Sequence, residues 1–162
     1  MGQGIAQMAA QAGSQVLLFD AATERAVQAQ QAIAAQWQKM LDKQRITAAQ
    51  HQSYLSALKT VDSLQALSAC DLVVEAVVEN TQVKQALFAQ LCEVLSGDAV
   101  LASNTSSLSI TALAAGLKRP ERFAGLHFFN PVPLMKVVEV VPGLATATAV
   151  CEKLKAYVLT MV

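Results

Sequence analysis

The sequence predicts an α/β fold with a mainly parallel sheet and helices on both faces. Two observations carry that prediction. Short apolar runs of strand length alternate with longer helical patterns through the first two thirds of the 162 residues, as expected where parallel strands are joined by helical crossovers. All four prolines lie at or after Pro120. The alternation is therefore unbroken before that point, and the sheet is free to change character after it.

Residues 4–12 are rich in alanine and suit a helix that Gly13 ends at the C′ position. QVLLFD (15–20) follows as a short strand. Residues 22–45 form a long helical stretch with Ile33, Trp37, Met40 and Leu41 on one stripe. Thr47 and Gln50 have capping-box spacing for a second helix over 47–58, and Asp62 and Gln65 repeat it for a short helix over 63–69. The helical pair over 22–58 is long for a simple crossover and reads as an excursion from the sheet.

DLVVEAVVEN (71–80) is then a buried strand running into a loop, and 81–95 is a helix followed by Gly97. AVLASNTSS (99–107) is a strand that breaks into hydroxyl and amide residues. A short helix over 109–115 precedes two more strands, RFAGLHFF and KVVEVV, on either side of an NPVP turn, and 146–160 is a final helix.

Composition excludes several classes. Hydrophobic residues make up 54% of the chain and the mean hydropathy is +0.38, which suits one domain with a real core. Aromatics are only 5%, so aliphatic side chains and alanine must fill that core. Twelve basic residues balance twelve acidic ones, so the basic footprint of a nucleic-acid binder is missing. LVVEAVV and KVVEVV carry internal glutamates and fall well short of the roughly 18 residues of a membrane span. No charged segment precedes an apolar one at the front, since Arg25 is the first basic residue, and Ala6 stands where myristoylation wants Ser or Thr. The three cysteines are far apart and form no CxxC, the pattern of reduced thiols in a cytoplasmic protein. The two histidines are 76 positions apart and predict no metal site.

The opening MGQGIAQMAAQAGSQVLLFD bears on ligand binding. Read literally, G-Q-G-I-A-Q fails the G-x-G-x-x-G pattern, but with Gly2 as the third glycine the stretch matches the tail of that motif. The third glycine of such a motif lets the helix pack on the first strand of a Rossmann-like sheet. Asp20 ends a strand eighteen residues after Gly2, where an acidic residue binds the ribose hydroxyls of NAD and repels the extra phosphate of NADP. The same residues also suit plainer roles, the glycines as packing and Asp20 as a helix cap.

A second constellation lies later. Ser103, Asn104, Thr105, Ser106 and Ser107 follow a buried strand, where open α/β sheets place ligands. His127 follows another apolar run, and Glu139 comes twelve residues on, across the proline turn. If those strands lie side by side, carboxylate and imidazole meet, and the carboxylate fixes the tautomer of a general base. Unpaired, they are a histidine and a glutamate at separate strand ends. No G-x-S-x-G elbow is present.

MGQGIA, VLLFD, DLVVEAVVEN, ASNTSSL and HFFNPVPLMKVVEV occur in order and cover nearly the whole chain. Together they resemble the 3-hydroxyacyl-CoA dehydrogenase family, and within it the bacterial 3-hydroxybutyryl-CoA and 3-hydroxyadipyl-CoA type. The resemblance implies an NAD-dependent oxidoreductase of fatty acid metabolism and β-oxidation, oxidising (3S)-3-hydroxyacyl-CoA to 3-oxoacyl-CoA. It implies His127 as catalytic base, Glu139 as its pairing carboxylate, and Ser106 as a hydrogen-bonding group near both substrate oxygen and nicotinamide. Gly2, Asp20, Glu79, Lys84 and Asn130 match cofactor-site positions, and Lys43 corresponds to a lysine that contacts coenzyme A. Gln36 stands where the family pattern has a serine seven residues before that lysine.

The family's first strand and first two glycines do not precede Gly2, and its helical C-terminal dimerisation domain does not follow Val162. Residues 1–162 are therefore expected to be a fragment of the NAD-binding domain, inactive alone, from a protein that forms homo-oligomers. Two other readings stay open. One is a different NAD-dependent hydroxyacid dehydrogenase, which would use a lysine base; the other is a catalytically silent nucleotide-binding or assembly module.

Overall fold

A computed structural model describes residues 1–162 throughout. The chain divides into two units, residues 3–63 with Met161 and residues 64–160 with Met1, Gly2 and Val162.

The first unit follows the alternation read from the sequence, with α1 (Gly2–Gln11), β1 (Val16–Phe19), α2 (Thr23–Asp42), α3 (Ala48–Ala57) and β2 (Leu58–Val61). Gly13 ends α1 with φ +93°. Its N–H donates to the Ala10 carbonyl and that of Ser14 to the Ala9 carbonyl, each at 3.1 Å, the bond pair of a Schellman motif in which glycine is the favoured C′ residue. Thr47 and Gln50 form the capping box of α3: each side chain accepts from the other residue's backbone N–H. Ala6, Ala10, Ile33, Trp37, Ile46, Ala57 and Leu58 make the core here, with the Trp37 and Tyr54 rings 5.5 Å apart and tilted.

Three expectations need correction in this unit. The segment 58–61 is a strand, β2, which pairs in parallel with β1 from Val16↔Leu58 to Phe19↔Val61. Its four residues, LKTV, show no alternation of their own, and the pairing with β1 decides their state. Residues 64–67 then form a single 3₁₀ turn rather than a capped α-helix. The long helix stops at Asp42, not 45, because Gln44 takes φ +54° and repeats the Schellman bonds, Gln44 N–H to the Leu41 carbonyl and Arg45 N–H to the Met40 carbonyl. A glutamine fills the place usually held by glycine, so no composition signal marked the stop.

The second unit holds β3 (Leu72–Glu75), α4 (Thr81–Val94), β4 (Val100–Ser103), α5 (Ile110–Ala114), β5 (Phe123–Phe128), β6 (Val138–Pro142) and α6 (Thr148–Val158). Its four strands run in the order β3-β4-β5-β6. The first three are parallel, and β6 is antiparallel to β5. The change of character follows from the short connection: about nine residues cannot make the crossover that a parallel pair needs. Asn80 caps α4 and Ser109 caps α5, each accepting a backbone N–H three residues on. Phe88 and Phe123 meet edge to face at 4.9 Å in a core that also buries Leu101, Ala102 and Leu126.

Gly125 is the one glycine of this sheet that packing demands. A Cβ there would lie 2.9 Å from both Ile110 Cδ1 and Val141 Cβ. The parallel order of β3, β4 and β5 brings their carboxyl ends, Glu75, Ser103 and Phe128, to one edge, and that edge is where open α/β sheets bind ligands.

Candidate active and cofactor site

At the carboxyl edge of the second unit, β5 and β6 place His127 directly opposite Glu139. Directly opposed residues of an antiparallel pair share a face, and His127 Nδ1 lies 2.9 Å from Glu139 Oε2. An ionised carboxylate only accepts. Nδ1 therefore carries the hydrogen, and in the neutral imidazole the lone pair is on Nε2. The Phe129 ring lies against the imidazole, centroids 4.6 Å apart at 50°. The strand end bearing the histidine is itself tied down, because the Phe128 N–H donates to Asn104 Oδ1 at 2.8 Å.

The loop after β4 wraps a second carboxylate. Glu79 Oε1 accepts from the Thr105 hydroxyl in a short bond, from the Ser106 N–H at 3.1 Å and from the Ser107 hydroxyl at 3.2 Å. Its other oxygen lies 3.3 Å from Lys84 Nζ. Partial burial pushes the Glu79 carboxyl up. The Thr105, Lys84 and Ser106 hydrogen bonds, with the Lys84 charge, together outweigh burial and hold it below the usual range. The Ser106 N–H is thus engaged, while its exposed side chain lines a cleft of about 390 Å³.

That cleft gathers Glu79, Lys84, Asn104, Ser106, His127 and Asn130, and Met1, just before α1, also lines it. It is half polar. Carboxylate, amide and hydroxyl groups suit the ribose hydroxyls and carboxamide of a nicotinamide nucleotide, so the donor set fits such a group. At Gly2 an added Cβ would meet Ala76 Cβ at 3.7 Å, an ordinary contact, so side-chain crowding does not by itself require glycine there.

Asp20 and Lys43 lie in the other unit. Asp20 follows β1, and its Oδ1 accepts the Ala22 N–H at 2.8 Å. Lys43 sits just past α2 with its side chain exposed.

Sequence reasoning passed over Glu75. It ends β3, is buried, and accepts from Lys84 Nζ, the Val77 N–H and the Ser103 hydroxyl, each at 2.6 Å. The signal was a charge inside the apolar run LVVEAVV, which served only to argue against a membrane span. Asn104 as the anchor of β5, and Phe129 as the wall of the imidazole, were passed over too.

A parallel β3-β4-β5 sheet with antiparallel β6, and a histidine–carboxylate pair beside a polar cleft at its carboxyl edge, puts the candidate site where open α/β sheets bind their ligands. The family model for the NAD-binding domain of 3-hydroxyacyl-CoA dehydrogenase matches residues 1–161, and the chain belongs to that family. It is 51% identical to 3-hydroxyadipyl-CoA dehydrogenase of Escherichia coli K12, an alignment covering 95% of this chain and 32% of that protein. It is 44% identical to 3-hydroxybutyryl-CoA dehydrogenase of Bradyrhizobium diazoefficiens, covering 98% of this chain and 54% of that protein. The crystal structure of 3-hydroxybutyryl-CoA dehydrogenase from Escherichia coli K12 superimposes with a TM-score of 0.97 at 50% identity, over 99% of this chain and 34% of that one. The chain thus spans about a third to a half of the length of these relatives. No helix is long and apolar enough to cross a membrane.

Proposed function

We propose that this chain is the cofactor-binding and base-supplying domain of an enzyme that oxidises (3S)-3-hydroxyacyl-CoA to 3-oxoacyl-CoA. The observation that carries the reading is the 2.9 Å pairing of His127 with Glu139 beside the cleft. A histidine whose Nδ1–H is held by a carboxylate presents Nε2 as a base of fixed direction. His127 takes the proton of the substrate hydroxyl at Nε2, Glu139 stabilises the imidazolium, and Ser106 donates to the same substrate oxygen. Bound NAD supplies the hydride acceptor. Glu79, Lys84, Ser106, Asn130 and Gly2 would hold it, and Asp20 would take its ribose hydroxyls. Lys43, on the helical excursion, offers a cation to the phosphates of coenzyme A.

The separated free cysteines support a cytoplasmic setting. The relatives' greater length supports treating residues 1–162 as one domain of a larger enzyme.

The test has two arms. The chain is titrated with NADH by fluorescence. It is also grafted in place of the matching segment of the Bradyrhizobium relative and assayed with acetoacetyl-CoA and NADH. Binding together with turnover in the graft bears out the reading. Binding without turnover makes the domain a silent nucleotide module, and turnover that survives loss of His127 points to a dehydrogenase with another base.

A further inference from the structure

Lys84 is 1% exposed. It lies in the first turn of α4, where the positive end of the helix dipole disfavours a cation. Helix stability does not put a lysine there. Exchanging a buried ion pair for apolar side chains is often neutral or stabilising, so fold stability does not require it either. What makes the position tolerable is Glu75, whose carboxylate is fully buried and receives Lys84 Nζ at 2.6 Å.

Glu75 is itself over-determined. Oε1 also accepts the Val77 N–H, and Oε2 accepts the Ser103 hydroxyl. Since β3 and β4 pair Glu75 with Ser103 in register, two strand ends and the start of α4 are fixed on one carboxylate. Lys84 then reaches on to Glu79 at 3.3 Å, and Glu79 gathers Thr105, Ser106 and Ser107. Two carboxylates share one ammonium. The deeper one takes the closer contact, 2.6 Å against 3.3 Å, so the outer one keeps its hold on the serine turn.

Resting on the reading that this cleft takes NAD, we propose that Glu75 is a positioning residue of the cofactor site. It never meets the cofactor, but it fixes the Lys84 ammonium and, through it, Glu79 and the 105–107 turn. Without Glu75 the ammonium has only Glu79 to pair with, draws that carboxylate inward, and loosens the turn that presents Ser106.

The test uses the 162-residue chain in a double-mutant cycle of Glu75→Gln and Lys84→Met. NADH affinity is read by fluorescence titration, and folding is checked by circular dichroism. Glu75→Gln should weaken NADH about tenfold when Lys84 is present and less than about twofold in the Lys84→Met background, the non-additivity expected within one network. Equal losses in both backgrounds, or no loss with Lys84 present, would overturn the proposal. A second readout needs no cofactor: in chain labelled with ¹⁵N, the Lys84 ammonium signal should exchange faster and the Ser106 amide should shift in Glu75→Gln. Unchanged signals would also overturn it. If the unsubstituted chain fails to bind NADH while these signals do move, the nucleotide reading fails, and what stands is that Glu75 positions Lys84, Glu79 and the 105–107 turn. Should Glu75→Gln not fold, Ser103→Ala removes one bond from the same carboxylate and should move the same signals in the same sense.

Discussion

His127 and Glu139 face each other across the β5–β6 ladder with Nδ1 and Oε2 2.9 Å apart. Because the pairing is set by backbone register, the imidazole is oriented before any ligand arrives. In the grafted enzyme, His127→Asn should lower kcat by about 10²–10⁴, the usual range for a positioned acid–base group. Glu139→Gln keeps the imidazole and loses the carboxylate, so its kcat should fall less, by about ten- to a hundredfold. KM for acetoacetyl-CoA should hold within about twofold in both, since the interaction is made in the transition state. Steady-state kinetics check this; a Glu139→Gln enzyme with unchanged kcat would reduce the pair to a strand contact.

Local chemistry was the legible part of this fold. Gly13 and the Thr47–Gln50 box each specify a helix end through bonds to near neighbours, so a reader of the sequence can place them. LKTV was not legible, because β2 exists through its pairing with β1, some forty residues away. Gln44 hid the end of α2 by taking a conformation that its residue type does not advertise. The site divides the same way. His127 and Glu139 are joined by a short connection, so their meeting was foreseeable. Glu75 acquires its role from Lys84 in a helix and Ser103 in a neighbouring strand, and only the folded arrangement brings those three groups together.

Asp20 should read the adenosine ribose. Its Oδ1 is committed to the Ala22 N–H, leaving Oδ2 to accept from a ligand hydroxyl. Asp20→Ala should weaken NADH binding by about 1.5–3 kcal/mol, the scale of a lost charged hydrogen bond, and narrow the preference over NADPH. Losing the turn bond should also lower unfolding free energy by about 0.5–2 kcal/mol, as for a lost cap. Parallel NADH and NADPH titrations check the first effect and urea unfolding the second. A change in stability with no change in either affinity would leave Asp20 as a turn former only.

Glu79 should make stability acid-sensitive. Its carboxyl is held below the ordinary value of 4.5, so the folded chain binds that proton less readily than the unfolded chain. The contribution is therefore fully present above the ordinary value and is lost as pH falls through the lowered one. Melting temperature should drop between about pH 5 and pH 3, and Glu79→Gln should flatten that part of the curve. The carboxylate is 39% exposed, so the flattening should be modest, and added salt should reduce it. An identical acid limb in the variant would place the acid sensitivity elsewhere.

Gly125 should control the spacing of the His127–Glu139 pair. Residues 125 and 127 share a face of β5, as Val141 and Glu139 share a face of β6, and Gly125 is opposite Val141. Opposed Cβ atoms normally stand about 4.5–5.5 Å apart, whereas a Cβ at 125 would come within 2.9 Å of the Val141 Cβ and equally close to Ile110 Cδ1. Neither neighbour yields freely, since Ile110 is buried and Val141 is held in the ladder. Gly125→Ala should therefore cost about 1–3 kcal/mol, the range for overpacking, read as a lower urea midpoint. Adding Ile110→Val removes the Cδ1 contact and should recover part of that loss, while the Val141 contact keeps pressing β6 outward. The grafted Gly125→Ala/Ile110→Val enzyme should then still show reduced kcat, because β6 carries Glu139 with it. Full recovery of both midpoint and kcat would show that only the Ile110 contact matters and that β6 stays in register without the glycine.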